Sequence, residues 1–276
     1  MGAGPDRLLD SGFERAMAEN GHRVRVTRIE LPPNSWSSEI GTAFELMRLV
    51  AAAIAAADGS LPVILAGNCI TSLGALASYA SSRTGIVWFD AHGDFNTPDT
   101  TTSGFLDGTA LSAITGGSWR QLALTVPGFK PLTEESVCVV GARDLDPVEK
   151  RALRGSGVTM VAATDIESGL QGALDSISRH ADKVHVHIDL DVLDPSVARA
   201  NTYAVGGGVT VEQLETALLI IGRALPIAGI TLSAYDPAAD TNGNAAKAAI
   251  RLLCAAVLAA QRAESVPGLS KSLDTT

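Results

Sequence analysis

Residues 86–108, IVWFDAHGDFNTPDTTTSGFLDG, decide how this chain is read. Ile86 to Phe89 is an unbroken apolar run of branched and aromatic residues, the pattern of a strand buried on both faces of a parallel sheet. Asp90, His92 and Asp94 follow at alternate positions where that run ends. Two carboxylates and an imidazole so close together would make a poor core. They offer oxygen and neutral nitrogen donors, which manganese and zinc both accept, and the D-x-H-x-D spacing does not choose between those ions. A polar loop satisfied by backbone groups fits the same three residues.

Outward from this stretch, strands and helices alternate. Leu8, Leu9, Phe13 and Met17 give helical spacing over 4–20, stopped at Asn20-Gly21, and Val24 to Ile29 reads as a short strand. A Pro32-Pro33-Asn34 break precedes a helix over Ile40 to Ala57, closed by Asp58-Gly59. Pro62 to Ala66 is the next strand, with Gly67-Asn68-Cys69 at its carboxyl end and a helix over Leu73 to Tyr79 behind it. Val137 to Val140 and Val158 to Val161 continue the rhythm, with Cys138 a small hydrophobe in the first and Cys254 another on the closing helix. Val184 to Val192 alternates strictly, placing His185, His187, Asp189 and Asp191 on one face. Thr210-x-x-Gln213 is a capping box for a helix to about Ala224, after the Gly206-Gly207-Gly208 loop; Gly229 to Ala234 is a last strand and Ala245 to Arg262 a closing helix. The count of seven strands predicts one α/β domain over 1–276, a three-layer α-β-α sandwich around a mostly parallel sheet.

With 46% hydrophobic and 18% charged residues in 276, the chain can bury a sizeable core and is globular in composition. A net charge of −9 argues against nucleic acid or an anionic membrane as partner. The Ala-rich runs near Val50 and Ala260 are bounded or interrupted by Arg48, Asp58, Lys247 and Arg251, so both read as packed helices. No signal-peptide order stands at the N-terminus, three scattered cysteines are no disulfide framework, and the cytoplasm is the expected compartment.

In open α/β sheets ligands bind outside the carboxyl ends of the strands. Asp90, His92 and Asp94 lie at one such end, Asp189 and Asp191 at another, Cys69 at a third. Were those strands neighbours, the group would surround a pair of cations; without cations, like-charge repulsion would force at least one carboxylate to hold a proton. The segments DAHGDFNTPDTTTSG, GARDLDP and HIDLDVLDP resemble the signature blocks of the arginase, agmatinase and formiminoglutamase family, the ureohydrolases. Gly4-Pro5, the GNC turn and GGGVT fall in matching order, so the resemblance covers nearly the whole chain.

That resemblance implies two manganese ions sharing a hydroxide that attacks a guanidino or imino carbon, and a trimeric or hexameric assembly acting on a small amino-acid substrate. Carried over, Asp90 and Asp189 would bridge the ions, with Cys69 and Asp94 on one side and His92 and Asp191 on the other. Asp94 would pass a proton to the leaving amine. Asn96, Thr101 and Ser103 match residues that hold the substrate α-carboxylate, and Asp146 one that reaches the α-amino group. Relatives carry a strand before the Gly-Pro helix, for eight in all, so the start codon is expected to be assigned late.

Three positions depart from the family pattern. Cys69 stands where a histidine usually binds the first metal, as it does in a subgroup linked to N-hydroxyarginine hydrolysis, which this chain also resembles at His187. A thiolate is softer and must lose a proton to bind, so that site is expected to be weaker or more zinc-tolerant. Asp107 replaces a proton-shuttling histidine and could serve if its pKa were raised; an ordinary exposed Asp fits equally. Ala234 replaces the glutamate that pairs with the guanidinium, with Asp236 a conceivable substitute. The rival to a hydrolase is a non-catalytic relative kept as a metal-stabilised scaffold.

Overall fold

Among the described residues six strands, all parallel, form one sheet in the order β1-β6-β5-β2-β3-β4. They are β1 (Val63–Leu65), β2 (Thr84–Phe89), β3 (Val137–Val140), β4 (Thr159–Val161), β5 (Lys183–Asp189) and β6 (Ile227–Ser233). This computed structural model describes residues 1–31, 38–57, 59–79 and 82–264, with side chains to 261. The Pro32-Pro33-Asn34 break and Asp58 lie outside them.

The helices are α1 (Gly4–Asp10), α2 (Phe13–Glu19), α3 (Glu39–Ala55), α4 (Ser72–Ala77), α5 (Ala110–Ile114), α6 (Arg120–Ala123), α7 (Pro147–Gly155), α8 (Ile166–Ile177), α9 (Val211–Ala224) and α10 (Asn244–Glu264). They cover both faces. On one, α1, α2, α8, α9 and α10 meet Val87, Phe89, Val186, Ile188, Ile230 and Leu232; on the other, α3 to α7 meet Ile86, Trp88, Val137 and Val139. Each large apolar side chain buried this way contributes roughly 1.5–3 kcal/mol. Over 244–261, α10 is the one described helix long and apolar enough to cross a membrane, but 56% of that window is buried, and it packs on β6 and α9.

The structure corrects the expected strand count. Val24 to Ile29 is not a strand: Val24 and Val26 are 37% and 41% exposed, and no described strand pairs with them. Their β-branched alternation meets no sheet face to pack against, and strand propensity without such a face is weak. The helix expected over 4–20 is broken at Gly12, whose φ of 100° lies in the left-handed region. Likewise, β5 ends at Asp189, and Leu190–Val192 turns into a short 3-10 helix, so the strict alternation stops three residues early. Asp189 itself makes that turn by accepting a hydrogen bond from the Asp191 amide at 2.8 Å.

Candidate metal centre

The centre lies where the direction of chain winding reverses. From β2 the chain proceeds outward through β3 and β4; it then returns to β5 on the other side of β2 and moves through β6 towards β1. The crevice at that switch point is where ligands settle in open α/β sheets. β2 and β5 are direct neighbours, with Phe89 opposite Ile188, so Asp90 and Asp189 leave adjacent strand ends. β1 does not touch β5, because β6 lies between them, yet Cys69 on the turn after β1 reaches across. Its thiol donates to Asp189 Oδ2 at 3.0 Å and lies 3.2 Å from Ser233 Oγ of β6.

Asp90 is the hub. Its Oδ1 accepts from the His92 amide at 2.7 Å and faces His92 Nδ1 at 3.2 Å, and its Oδ2 accepts from Trp88 Nε1 at 3.0 Å. His92 Nδ1 also lies 3.6 Å from Asp191 Oδ2. Two sets of donor atoms therefore lie close enough to grip an ion, Asp90 with His92 and Asp191, and Asp90 with Cys69 and His187, all atoms of a set within 4.8 Å. Asp94 is buried, holds a left-handed φ of 50°, and leaves Oδ2 without a partner among the described residues. An orphaned carboxylate oxygen beside acceptor-only neighbours is the condition that a cation relieves.

The charges agree. Burial first, then Asp90, Asp107 and Asp189, push the Asp94 pKa well above the carboxylate range. Asp189 is raised by burial and by Asp191 and Asp90, and Asp191 by burial and Asp90. Burial and the same carboxylates raise the Cys69 thiol. Burial also opposes ionisation of Asp90, but the hydrogen bonds and charge of His92 outweigh it and hold Asp90 low; in return, against its own burial, His92 is pulled up to about 9 by Asp90 and Asp191. The raised groups are ones that a cation would discharge, so this donor set suits divalent metal.

A profile of the Arginase family matches residues 4–259. The chain belongs to the arginase family. As a ureohydrolase-type hydrolase it is 31% identical over 204 residues to an arginase of Bacillus caldovelox, covering 71% of this chain and 68% of that one, and 30% identical to one of Bacillus subtilis over the same shares. The crystal structure of arginase from Bacillus cereus superposes with a TM-score of 0.83 at 25% identity, over 92% of this chain and 91% of that one.

Beyond these donor groups, the other predicted site residues are unevenly placed. Asn96 is buried, donates to Asp146 Oδ2 at 3.2 Å, and takes a bond from Thr100 on its Oδ1 at 3.0 Å. Thr101 and Ser103 stand on the surface loop, 3.4 Å apart, and accept from the Gly104 and Phe105 amides, so the structure unites Asn96 with Asp146 and the two hydroxyls with each other. Asp107 is no exposed turn residue: it is 4% exposed, and its carboxylate takes bonds from Asn68 Nδ2 at 2.5 Å and the Ile70 amide at 3.4 Å. Burial raises its pKa to about 6 against those bonds. Ala234 is buried with a left-handed φ of 60°. Asp236 is spent on a local turn, accepting from the Ala238 amide at 3.0 Å.

Several supporting residues carried no local signal. Asn201, 1% exposed, donates to Asp191 Oδ2 at 3.1 Å and to the Ala234 carbonyl at 2.9 Å, tying one candidate ligand to the altered position. Glu149 reaches back from α7 to the Phe95 amide at 2.9 Å, and it lies so close to Gly93 that a Cβ there would sit 2.8 Å from its carboxylate. Arg143, of the GARDLDP segment, donates to the carbonyls of Gly141, Asp191, Leu193, Val205 and Gly206. A run of charged residues before a helix hides that guanidinium's role, which is to answer the carbonyls of two irregular loops.

Proposed function

We propose that this chain is a manganese-dependent hydrolase that cleaves a C–N bond of an amino acid bearing a guanidino, hydroxyguanidino or imino group. The observation that carries the reading is Asp90, shared by two ligand-grade sets at one strand end, with the orphaned Asp94 oxygen beside it. Cys69, Asp90, His92, Asp94, Asp189 and Asp191 would hold two ions. When bound, manganese would acidify water and stabilise negative charge as it develops. Asp94, whose free oxygen has no competing partner, would take the proton and return it to the departing amine. Asp107, buried with a pKa near 6, would relay it outward past Asn68. Asn96 and Asp146, with Thr101 and Ser103 at the rim, would orient the amino-acid end.

The guanidine end argues for a modified substrate. Ala234 brings a methyl group where a carboxylate would be needed to pair a strongly basic guanidinium. A hydroxyguanidine is a weaker base and loses less when that anion is missing. The reading extends to a single domain over 1–276, a homo-oligomer of three or six chains, and a cytoplasmic setting.

To test it, manganese-loaded protein would be offered arginine, N-hydroxyarginine, agmatine and formiminoglutamate, and release of urea, hydroxyurea and formamide followed. Turnover is expected, greatest for the hydroxylated substrate. Protein with bound metal that turns over none of the four is the non-catalytic scaffold instead.

A further inference from the structure

The polar face of β5 holds more donors than the proposed manganese ligands use. His187 is fully buried, its ring stacked on Trp88 with centroids 3.5 Å apart and planes 14° from parallel. Nδ1 lies 2.8 Å from Ser72 Oγ, on the first turn of α4, and Nε2 lies 3.4 Å from Ser233 Oγ. In the tautomer in which Nδ1–H donates to Ser72, Nε2 is the acceptor, met at 3.4 Å by the Ser233 hydroxyl, a long contact that a cation could displace. A histidine whose far nitrogen is anchored in this way is set up as a ligand through the near one. Ser233 Oγ in turn lies 3.2 Å from Cys69 Sγ, so one hydroxyl spans thiol and imidazole.

We propose that His187 is a metal ligand, and that with Cys69 and Asp90 it builds a zinc-selective position beside the manganese position at Asp90, His92 and Asp191. The inference rests on the reading of the centre as a two-ion site. Four observations carry it. The ligand-grade atoms of Cys69, Asp90 and His187 lie within 4.8 Å of one another. All three residues are buried, so no solvent competes for them. Asp189 Oδ2 lies against Cys69 at 3.0 Å and supplies the next oxygen, and the unpartnered Asp94 Oδ2 marks a centre still short of positive charge. The donor chemistry of the two sets also differs. Sulfur, nitrogen and carboxylate oxygen are a zinc set, whereas two carboxylates and one imidazole suit a harder ion. Shared Asp90 would make the centre heterobimetallic.

Full-length protein, stripped of metal and offered equal zinc and manganese, would be desalted and its metals counted. The expected result is about one zinc and about one manganese per chain. His187→Gln is expected to lose at least roughly tenfold in zinc affinity and keep its manganese, and Cys69→Ser to behave alike. Because either variant could misfold, wild-type protein carrying less than one equivalent of zinc would also be measured by zinc-edge X-ray absorption. Sulfur at about 2.3 Å together with imidazole nitrogen at about 2.0 Å supports the assignment. Sulfur without imidazole, imidazole without sulfur, two manganese ions, or unchanged zinc binding in His187→Gln each overturns it. Hydrolysis with manganese alone and no zinc signature would leave the functional reading standing without this inference; the zinc signature in protein that cleaves none of the four substrates would do the reverse.

Discussion

The two faces of β5 are equally dry and chemically opposite. Val184, Val186 and Ile188 sit at 0% exposure on one; His185 and His187 at 0% and Asp189 at 4% on the other. An apolar face needs only shape, since its neighbours from α8, α9 and α10 ask for no partners. The polar face needs every atom answered. Thr231 meets His185 at 2.8 Å, Ser72 and Ser233 meet His187, and Cys69 meets Asp189. Even so, His185 Nδ1 and the Tyr79 hydroxyl lack partners among the described residues, packed so tightly around Gly229 that a Cβ there would strike that hydroxyl. One side of a single strand therefore packs by shape alone, and under the proposed function the other serves the chemistry.

Replacing residues on each face separates these roles. Asp189→Asn is expected to lower activity by about a thousandfold or more, on the order of 4 kcal/mol in transition-state stabilisation. Burial already favours the neutral form of Asp189, so the urea midpoint of the metal-free variant should be unchanged or higher. A variant that unfolds more easily without metal would break the comparison. One residue earlier, Ile188→Ala faces the apolar side and should cost about 2–5 kcal/mol of folding stability by opening a cavity, with metal content per folded chain retained. Loss of metal without loss of stability would contradict that division.

The smallest effect is a slope. Burial pushes the His185 pKa down to about 3, against about 6.5 for an unfolded chain. Between those values the unfolded state binds a proton that the native state refuses, so stability falls as pH drops through about 6.5 towards 3, by up to about 1.4 kcal/mol per pH unit. His187 is lowered to about 3 in the same way, and the raised Asp94 and Asp189 act in the opposite sense, so the difference is what reports His185. Urea midpoints of metal-free protein at about pH 7, 6 and 5 should fall less with acid, or rise more, in His185→Gln than in the wild type. An equally steep slope in the variant would assign the proton elsewhere.

Much of this was legible because burial writes itself into apolar runs. Ile86 to Phe89 and Val137 to Val140 became β2 and β3, and Thr210 with Gln213 caps α9. Val24 and Val26 misled because alternation reports a strand's preference and not the existence of a neighbour to satisfy it. In the centre, Asp90, His92 and Asp191 meet as their placement at strand ends suggests. The approach of Cys69 to Asp189 depends on β6 entering between β1 and β5, and strand order is not carried by local spacing. Asn201 is lost for a related reason: a single amide in an irregular loop has no periodicity, and only its two buried partners reveal it.

The fan of bonds from Arg143 has a consequence for how the cleft can vary. One guanidinium staples the loop after β5 to residues 205 and 206, so that segment behaves as masonry, and altering it would strip donors from several carbonyls at once. Thr101 to Gly104 is held more lightly, by hydroxyl turns at the surface and the bond from the Thr101 amide to the Thr97 carbonyl at 2.9 Å. Under the proposed function, a change of substrate shape would disturb the fold least there, on the side left unmortared.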